Sequence, residues 1–225
     1  MVTTDRLGLE PAELRGLVDY LERLVKLDDR AAVRLQGSGG VLGVWSGPPF
    51  DVLALKPVAT VNELTLDATV SAQRLLERLR DSLTESTGEG GLVAQQTVAL
   101  PDRVPGPNWV GLLAPRSGWQ ERGRDDVANV RAAVDTAKHF FRLRADGVTD
   151  RAQLEQIAND VWERACLAEV PVRAAHAAES LGLLGPGNGE VVAYATDSWL
   201  RLAAPGGSVA SRRGFLPSLP LFPLT

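Results

Sequence analysis

The sequence predicts an α+β protein, with an N-terminal helix-backed antiparallel sheet and a C-terminal helical unit that ends in a β-hairpin. Three observations carry this reading. Residues 11–27 place apolar side chains at a spacing of three and four, with charges between them. Residues 31–58 are rich in β-branched and apolar residues punctuated by glycine and proline. Residues 149–213 pass from helical to strand periodicity and close on a glycine turn.

In the first helix, residues 11–27, Leu14, Leu17, Val18, Leu21, Leu24 and Val25 form the inner stripe, with Glu13, Arg15, Asp19, Glu22, Arg23 and Lys26 outside. Residues 31–36 and 41–46 read as a hairpin across Gly37-Ser38-Gly39-Gly40, and residues 50–58 as a third strand. That glycine loop lacks the spacing and the Lys-Ser/Thr of a phosphate-binding loop, so a turn is the expected role. Residues 71–83 make a second helix with Leu75, Leu76, Leu79 and Leu83 inward. Residues 92–100 and 109–113 read as further strands. A helix-backed antiparallel sheet is the economical packing for that order.

Two proline-bearing linkers follow, at residues 101–107 and 115–124. The boundary is expected in the second, where Asp125 and Asp126 put negative charge at the start of a helix over residues 127–141. This divides the chain into residues 1–120, residues 121–214 and a tail of residues 215–225. No internal repeat is visible.

In the C-terminal unit Asp150 and Gln153 have capping-box spacing. Leu154, Ile157, Val161 and Ala165 continue as one apolar stripe. Pro171 suits the first turn of the next helix, which carries Val172, Ala175, Ala178 and Leu181. Residues 190–195, 199–203 and 209–213 read as strands, the last two joined by Pro205-Gly206-Gly207-Ser208. This order resembles the winged-helix superfamily of DNA-binding domains. The resemblance implies that the helix before the wing enters the major groove and the wing meets the backbone. The residues so implicated are Arg173 and His176 on the helix and Arg201, Arg212 and Arg213 on the wing.

Net charge is −4 and the pI about 5.3. Binding to nucleic acid then needs a local arginine patch rather than the whole surface. The matching helix is rich in alanine, with few donors for base edges. Both features place protein assembly first and a DNA-binding regulator second. A protein surface is expected at Trp109, Arg116 and Trp119, since Trp and Arg are enriched where binding energy concentrates. The alternative is that both indoles pin a loop to the core. In the tail, Pro217, Pro220 and Pro223 recur with the three-residue period of polyproline II, interleaved with Phe215, Leu216, Leu219 and Phe222. An ordered segment, docked on its own chain or on a second subunit, is expected there.

The single cysteine, Cys166, excludes an intramolecular disulfide and reads as a small buried hydrophobe inside a helix. The two histidines, His139 and His176, lie in different helices without carboxylates at metal-site spacing. Asp51 and Asp197, near strand ends, read as turn formers rather than bases. No metal, cofactor or catalytic set is expected, and the partner is another protein, a second copy or DNA. No apolar run matches a membrane span, so a cytoplasmic protein is expected. The use of arginine over lysine, with only Lys26, Lys56 and Lys138 present, resembles a high-GC bacterial genome.

Overall fold

The computed structural model describes residues 6–86 and 96–213. The first half runs β1 (Arg6–Leu9), α1 (Pro11–Leu27), β2 (Ala32–Ser46), β3 (Leu53–Ser71), α2 (Ala72–Ser86) and β4 (Gln96–Ala99). A connection containing a 3₁₀ turn, Asn108–Gly111, leads to β5 (Gln120–Asp126), α3 (Val127–Ala145) and α4 (Arg151–Trp162). Then come the short pair β6 (Ala165–Leu167) and β7 (Val170–Pro171), α5 (Val172–Ser180), β8 (Glu190–Ala195), β9 (Trp199–Ala204) and β10 (Gly207–Arg212).

One antiparallel sheet of order β2-β3-β10-β9-β8-β5 spans both halves. The seam is β3 against β10, with Ser208 opposite Leu55, Val209 opposite Ala54 and Ala210 opposite Leu53. Alternation decides what each face carries. Ala54, Val209, Leu202 and Ala193 stand in one cross-strand row within the main core. Leu53, Ala210, Arg201 and Tyr194 form the adjacent row, on the opposite face.

All five α-helices among the described residues contribute to the main core. α1 buries Leu14, Leu17, Val18, Leu21 and Leu24 as its spacing predicts, and starts with Pro11, whose missing N–H would be unpaired there anyway. It packs against α2, which buries Leu75, Leu76 and Leu79. α3 buries Val127, Val130, Val134 and Ala137. The Asp150 carboxylate caps α4, accepting from the Gln153 N–H at 2.7 Å. α5 buries Ala174, Ala175, Ala177 and Ala178 and packs on β9 and β10.

The winged-helix expectation is wrong, and the packing shows why. A wing is a free hairpin, whereas β9 and β10 are inner strands, each paired on both sides. The alanines of α5 are there because the helix is buried, where small side chains permit close approach to the sheet. The expected hairpin at Gly37–Gly40 is instead one long strand, β2, with a register shift between Gly39 and Val41 and Gly39 at φ +60°. Glycine there makes a bulge, not a turn. The chain reverses at residues 47–52, where Asp51 takes φ +52°. Residues 109–113 fall largely in the 3₁₀ turn rather than a strand, and the second half of the expected linker 115–124 is strand β5. Cys166 lies on β6, not in a helix. The tail 215–225 and residues 92–95 of the strand expected at 92–100 lie outside the described residues, and residues 96–99 of it form β4.

Candidate functional site

The face of the sheet away from the main core carries a second, smaller cluster. Leu53, Ala114, Trp199 and Ala210 are buried in it, and Trp45, Trp109, Leu113 and Trp119 pack around them. The connection between the halves is folded down onto this face. Arg34 is the main tie: it forms a bidentate pair with Asp67 (2.8 and 2.7 Å) and donates through Nη1 to the Val110 carbonyl at 2.6 Å. Hydrogen bonding from Arg34 holds the Asp67 carboxyl below its usual range, so both ends of the tie stay charged. Trp119 Nε1 donates to the Pro115 carbonyl at 2.9 Å. The Trp109 ring lies against Gly47, where a Cβ would stand 2.6 Å from the indole Cδ1. Only glycine leaves room for that ring.

Two arginines are held by aromatic faces. The Arg201 guanidinium stands 4.4 Å from the Trp119 ring centroid and 4.8 Å from that of Tyr194. Arg212 lies 5.1 Å from the centroid of Trp199, its cross-strand neighbour. Burial holds Arg201 below its ordinary value, yet an arginine remains charged at any physiological pH. Among the described residues, neither arginine has a carboxylate at salt-bridge distance. Such stacking is worth about 0.5–2 kcal/mol per pair and keeps a cation flat on an apolar surface.

Three cavities adjoin along this face. One, of about 260 Å³, is bounded by Trp109, Leu112, Trp199 and Arg212. A second, of about 560 Å³, shares Trp199 with the first and reaches Leu113, Pro115 and Ser198. A third, of about 360 Å³, shares Pro115 with the second and is closed by Trp45, Arg116 and Arg201. Together they make a groove with aromatic walls and arginines along it. Leu112, 53% exposed, stands at its rim.

The structure therefore brings together Trp109, Arg116, Trp119, Arg201 and Arg212, which the sequence had assigned to two different roles. Trp45 and Leu112 join them without having been singled out. The available signal was Trp199-Leu-Arg-Leu-Ala, apolar at both parities and so a strand covered on both faces.

The other residues assigned to DNA make their contacts within the fold. Arg173 has a side chain only 13% exposed. It donates to the Phe50 carbonyl at 3.2 Å and to the Asp51 carbonyl, and its Nε is 2.6 Å from the Glu163 carboxylate. Arg213 donates through Nη2 to both carboxylate oxygens of Glu169, each at 2.7 Å. His176 is stacked on Trp162 (centroids 4.9 Å apart, planes at 15°) and meets Phe50 edge-on at 5.0 Å.

Burial, with Lys138 nearby, lowers the His176 pKa against a smaller opposing pull from Glu179, so the folded protein favours the neutral ring. The unfolded chain has the ordinary value near 6.5. The contribution of His176 is therefore complete above about pH 6.5 and is lost as pH falls toward the depressed folded value. We expect urea denaturation of the wild type to show stability falling between pH 7 and 5, and a His176→Phe variant to lose that part of the slope. Equal slopes would remove the assignment. Burial likewise pushes the Cys166 thiol up to about 11, which leaves little thiolate at neutral pH.

Among the described residues no cluster of three metal-ligating side chains occurs, and no helix is long and apolar enough to cross a membrane. Asp51 and Asp197 are exposed and sit in the turns before β3 and β9.

Two family models match the chain, each described as a domain of unknown function: DUF8010 over residues 2–102 and DUF8185 over residues 114–216. No curated protein matches. Several solved structures do. The pol III beta protein of Caulobacter crescentus is 13% identical with a TM-score of 0.57, over 95% of this chain and 66% of that one. The DNA polymerase III subunit beta of Borrelia burgdorferi, in complex with a natural product, is 10% identical with a TM-score of 0.55, over 97% and 67%. The sliding clamp of Bartonella birtlesii, bound to griselimycin, is 14% identical with a TM-score of 0.50, over 95% and 66%. The chain thus spans about two thirds of the length of the structures it matches. At these identities the likeness is one of architecture: the helix-backed continuous sheet is the fold of bacterial sliding clamps, not of a winged helix.

Proposed function

We propose that this chain is a non-enzymatic assembly protein of clamp-like fold, which acts by holding a protein segment in the outer-face groove. The observation that carries the reading is the cluster of Trp109, Trp199, Trp119 and Trp45 on this face, with Arg201 laid over Trp119 and Arg212 over Trp199. These are the residue types that dominate binding energy where pockets are partly preformed. The groove lies where the two halves join, so an occupant would contact both.

Helices α1 and α2 do not favour DNA as the primary partner, whereas α3 carries Arg131, Lys138, Arg142 and Arg144 against Asp135 alone. α1 balances Arg15, Arg23 and Lys26 against Glu13, Asp19 and Glu22. α2 balances Arg74, Arg78 and Arg80 against Glu77, Asp81 and Glu85. A surface that displaces counterions from a duplex needs an excess of positive charge, and this helix pair supplies none.

The test is affinity capture from the native cell with and without nuclease, comparing the wild type with a Trp109→Ala/Arg212→Ala variant shown by circular dichroism to be folded. We expect a protein partner that survives nuclease and falls at least tenfold with the variant. Capture that disappears on nuclease treatment, or is indifferent to the variant, would overturn the reading.

A further inference from the structure

We propose that the first occupant of the groove is the chain's own C-terminal segment, residues 214–225, which any protein partner must displace. This rests on the groove proposed above as the working surface, and it names what regulates it.

The point of exit comes first. The Arg213 N–H donates to the Ser198 carbonyl at 3.0 Å, so β10 stays aligned with the start of β9 to its last described residue. Ser198 and Trp199 line the second cavity and Arg212 lines the first. The last described residue, Arg213, therefore lies beside the wall of the groove. Twelve residues at the ~3.1 Å rise of polyproline II reach roughly 37 Å, enough for an extended segment to follow several adjoining cavities.

The chemistry of the two surfaces agrees. Residues 214–225 contain no charged side chain, and Phe215, Leu216, Leu219, Leu221, Phe222 and Leu224 alternate with prolines every third position. Segments of this period dock in grooves walled by aromatic rings, because the backbone is already extended and little entropy is lost on binding. The groove supplies Trp45, Trp109 and Trp199 for the apolar side chains. Left in water, so apolar a segment would be an adhesive patch. Tethering at Arg213 presents it to the groove at an effective concentration on the order of millimolar, so even a weak intrinsic affinity keeps the site filled.

The experiment uses the full chain throughout. A fluorescent peptide of residues 214–225 is titrated by anisotropy against the wild type and against a tail variant, Phe215→Asp/Leu219→Asp/Phe222→Asp. The tail variant should bind the peptide at least tenfold more tightly than the wild type, because its own tail no longer competes. Adding Trp109→Ala to the tail variant should abolish that binding while the circular dichroism spectrum is kept. Equal affinity of wild type and tail variant, or no binding to either, would overturn the proposal. So would a wild-type dimer by light scattering that falls to monomer in the tail variant, since the tail would then occupy a second copy. Partner capture separates this inference from the one beneath it. If the peptide never binds but Trp109→Ala/Arg212→Ala still loses the partner, the tail inference fails and the assembly reading stands. Tail-variant capture greater than wild type supports both.

Discussion

Replacing Gly207 with alanine should lower stability by about 3 kcal/mol. Gly207 opens β10 at φ +151°, a region that side-chain-bearing residues rarely enter. A Cβ there would stand 2.4 Å from the Leu55 carbonyl oxygen and 3.1 Å from Leu183 Cδ2. Leu55 is the β3 residue opposite Ser208 at the seam. The substitution must therefore either bend the backbone or part β10 from β3, the only strand pair by which the described halves share a sheet. Backbone strain of this kind is worth about 1–3 kcal/mol and forced overpacking about 1–3 more. In a domain of this size that is a fall of roughly 6–12 °C in Tm. Gly187→Ala is the control, because a Cβ there meets nothing within 4 Å and no unusual φ is involved. It should change stability by under about 0.5 kcal/mol. If both variants melt together, the seam does not depend on Gly207.

The second large effect is expected at Arg173. Its guanidinium joins three elements: it sits on α5, pairs with Glu163 at the end of α4, and donates to the carbonyls of Phe50 and Asp51 in the turn before β3. That turn contains a non-glycine residue at φ +52°, so an external donor for its carbonyls matters. Removing a mostly buried charged donor leaves those carbonyls unpaired. We expect Arg173→Ala to lower stability by about 2–3 kcal/mol, measured by denaturant unfolding. Lysine should recover less than half of it, because one ammonium cannot span both carbonyls and the Glu163 carboxylate. Full recovery by lysine would show that charge alone, and not the planar fork, secures the turn.

Arg173 also shows how a residue can be found by sequence and misread. An arginine and a histidine on a short helix before two strands fit a groove-reading helix, and nothing local argues otherwise. The fit failed because burial is not a local property. The same helix shows alanine on nearly every side, and an α-helix with small residues all round belongs inside a fold. Trp109 and Trp119 were assigned to a protein surface and Arg201 and Arg212 to a DNA surface, yet the four share one face. They meet because β9 and β10 sit mid-sheet and the connection at residues 108–119 lies across them.

The sequence by itself determined what depends on neighbours a few residues apart. Helix α1 matches its spacing at both ends, α3 begins at Val127 as the two aspartates predict, and the Asp150 carboxylate caps the Gln153 N–H, one of the two bonds of the capping box read there. Strands β8 and β9 follow their alternation. The antiparallel, helix-backed α+β character follows from these. Tertiary structure alone decided how the strands join. Gly37 to Gly40 has the composition of a turn, and becomes a bulge only because β3 is long enough to pair with β2 on both sides of it. The pairing of β3 with β10 links residues more than 150 positions apart, and no periodicity encodes a partner at that distance. Strand spacing and alternation are set by the backbone, which every strand shares. Which edge meets which is set by the burial that the whole fold achieves, and that choice built the sheet, its outer face and the groove.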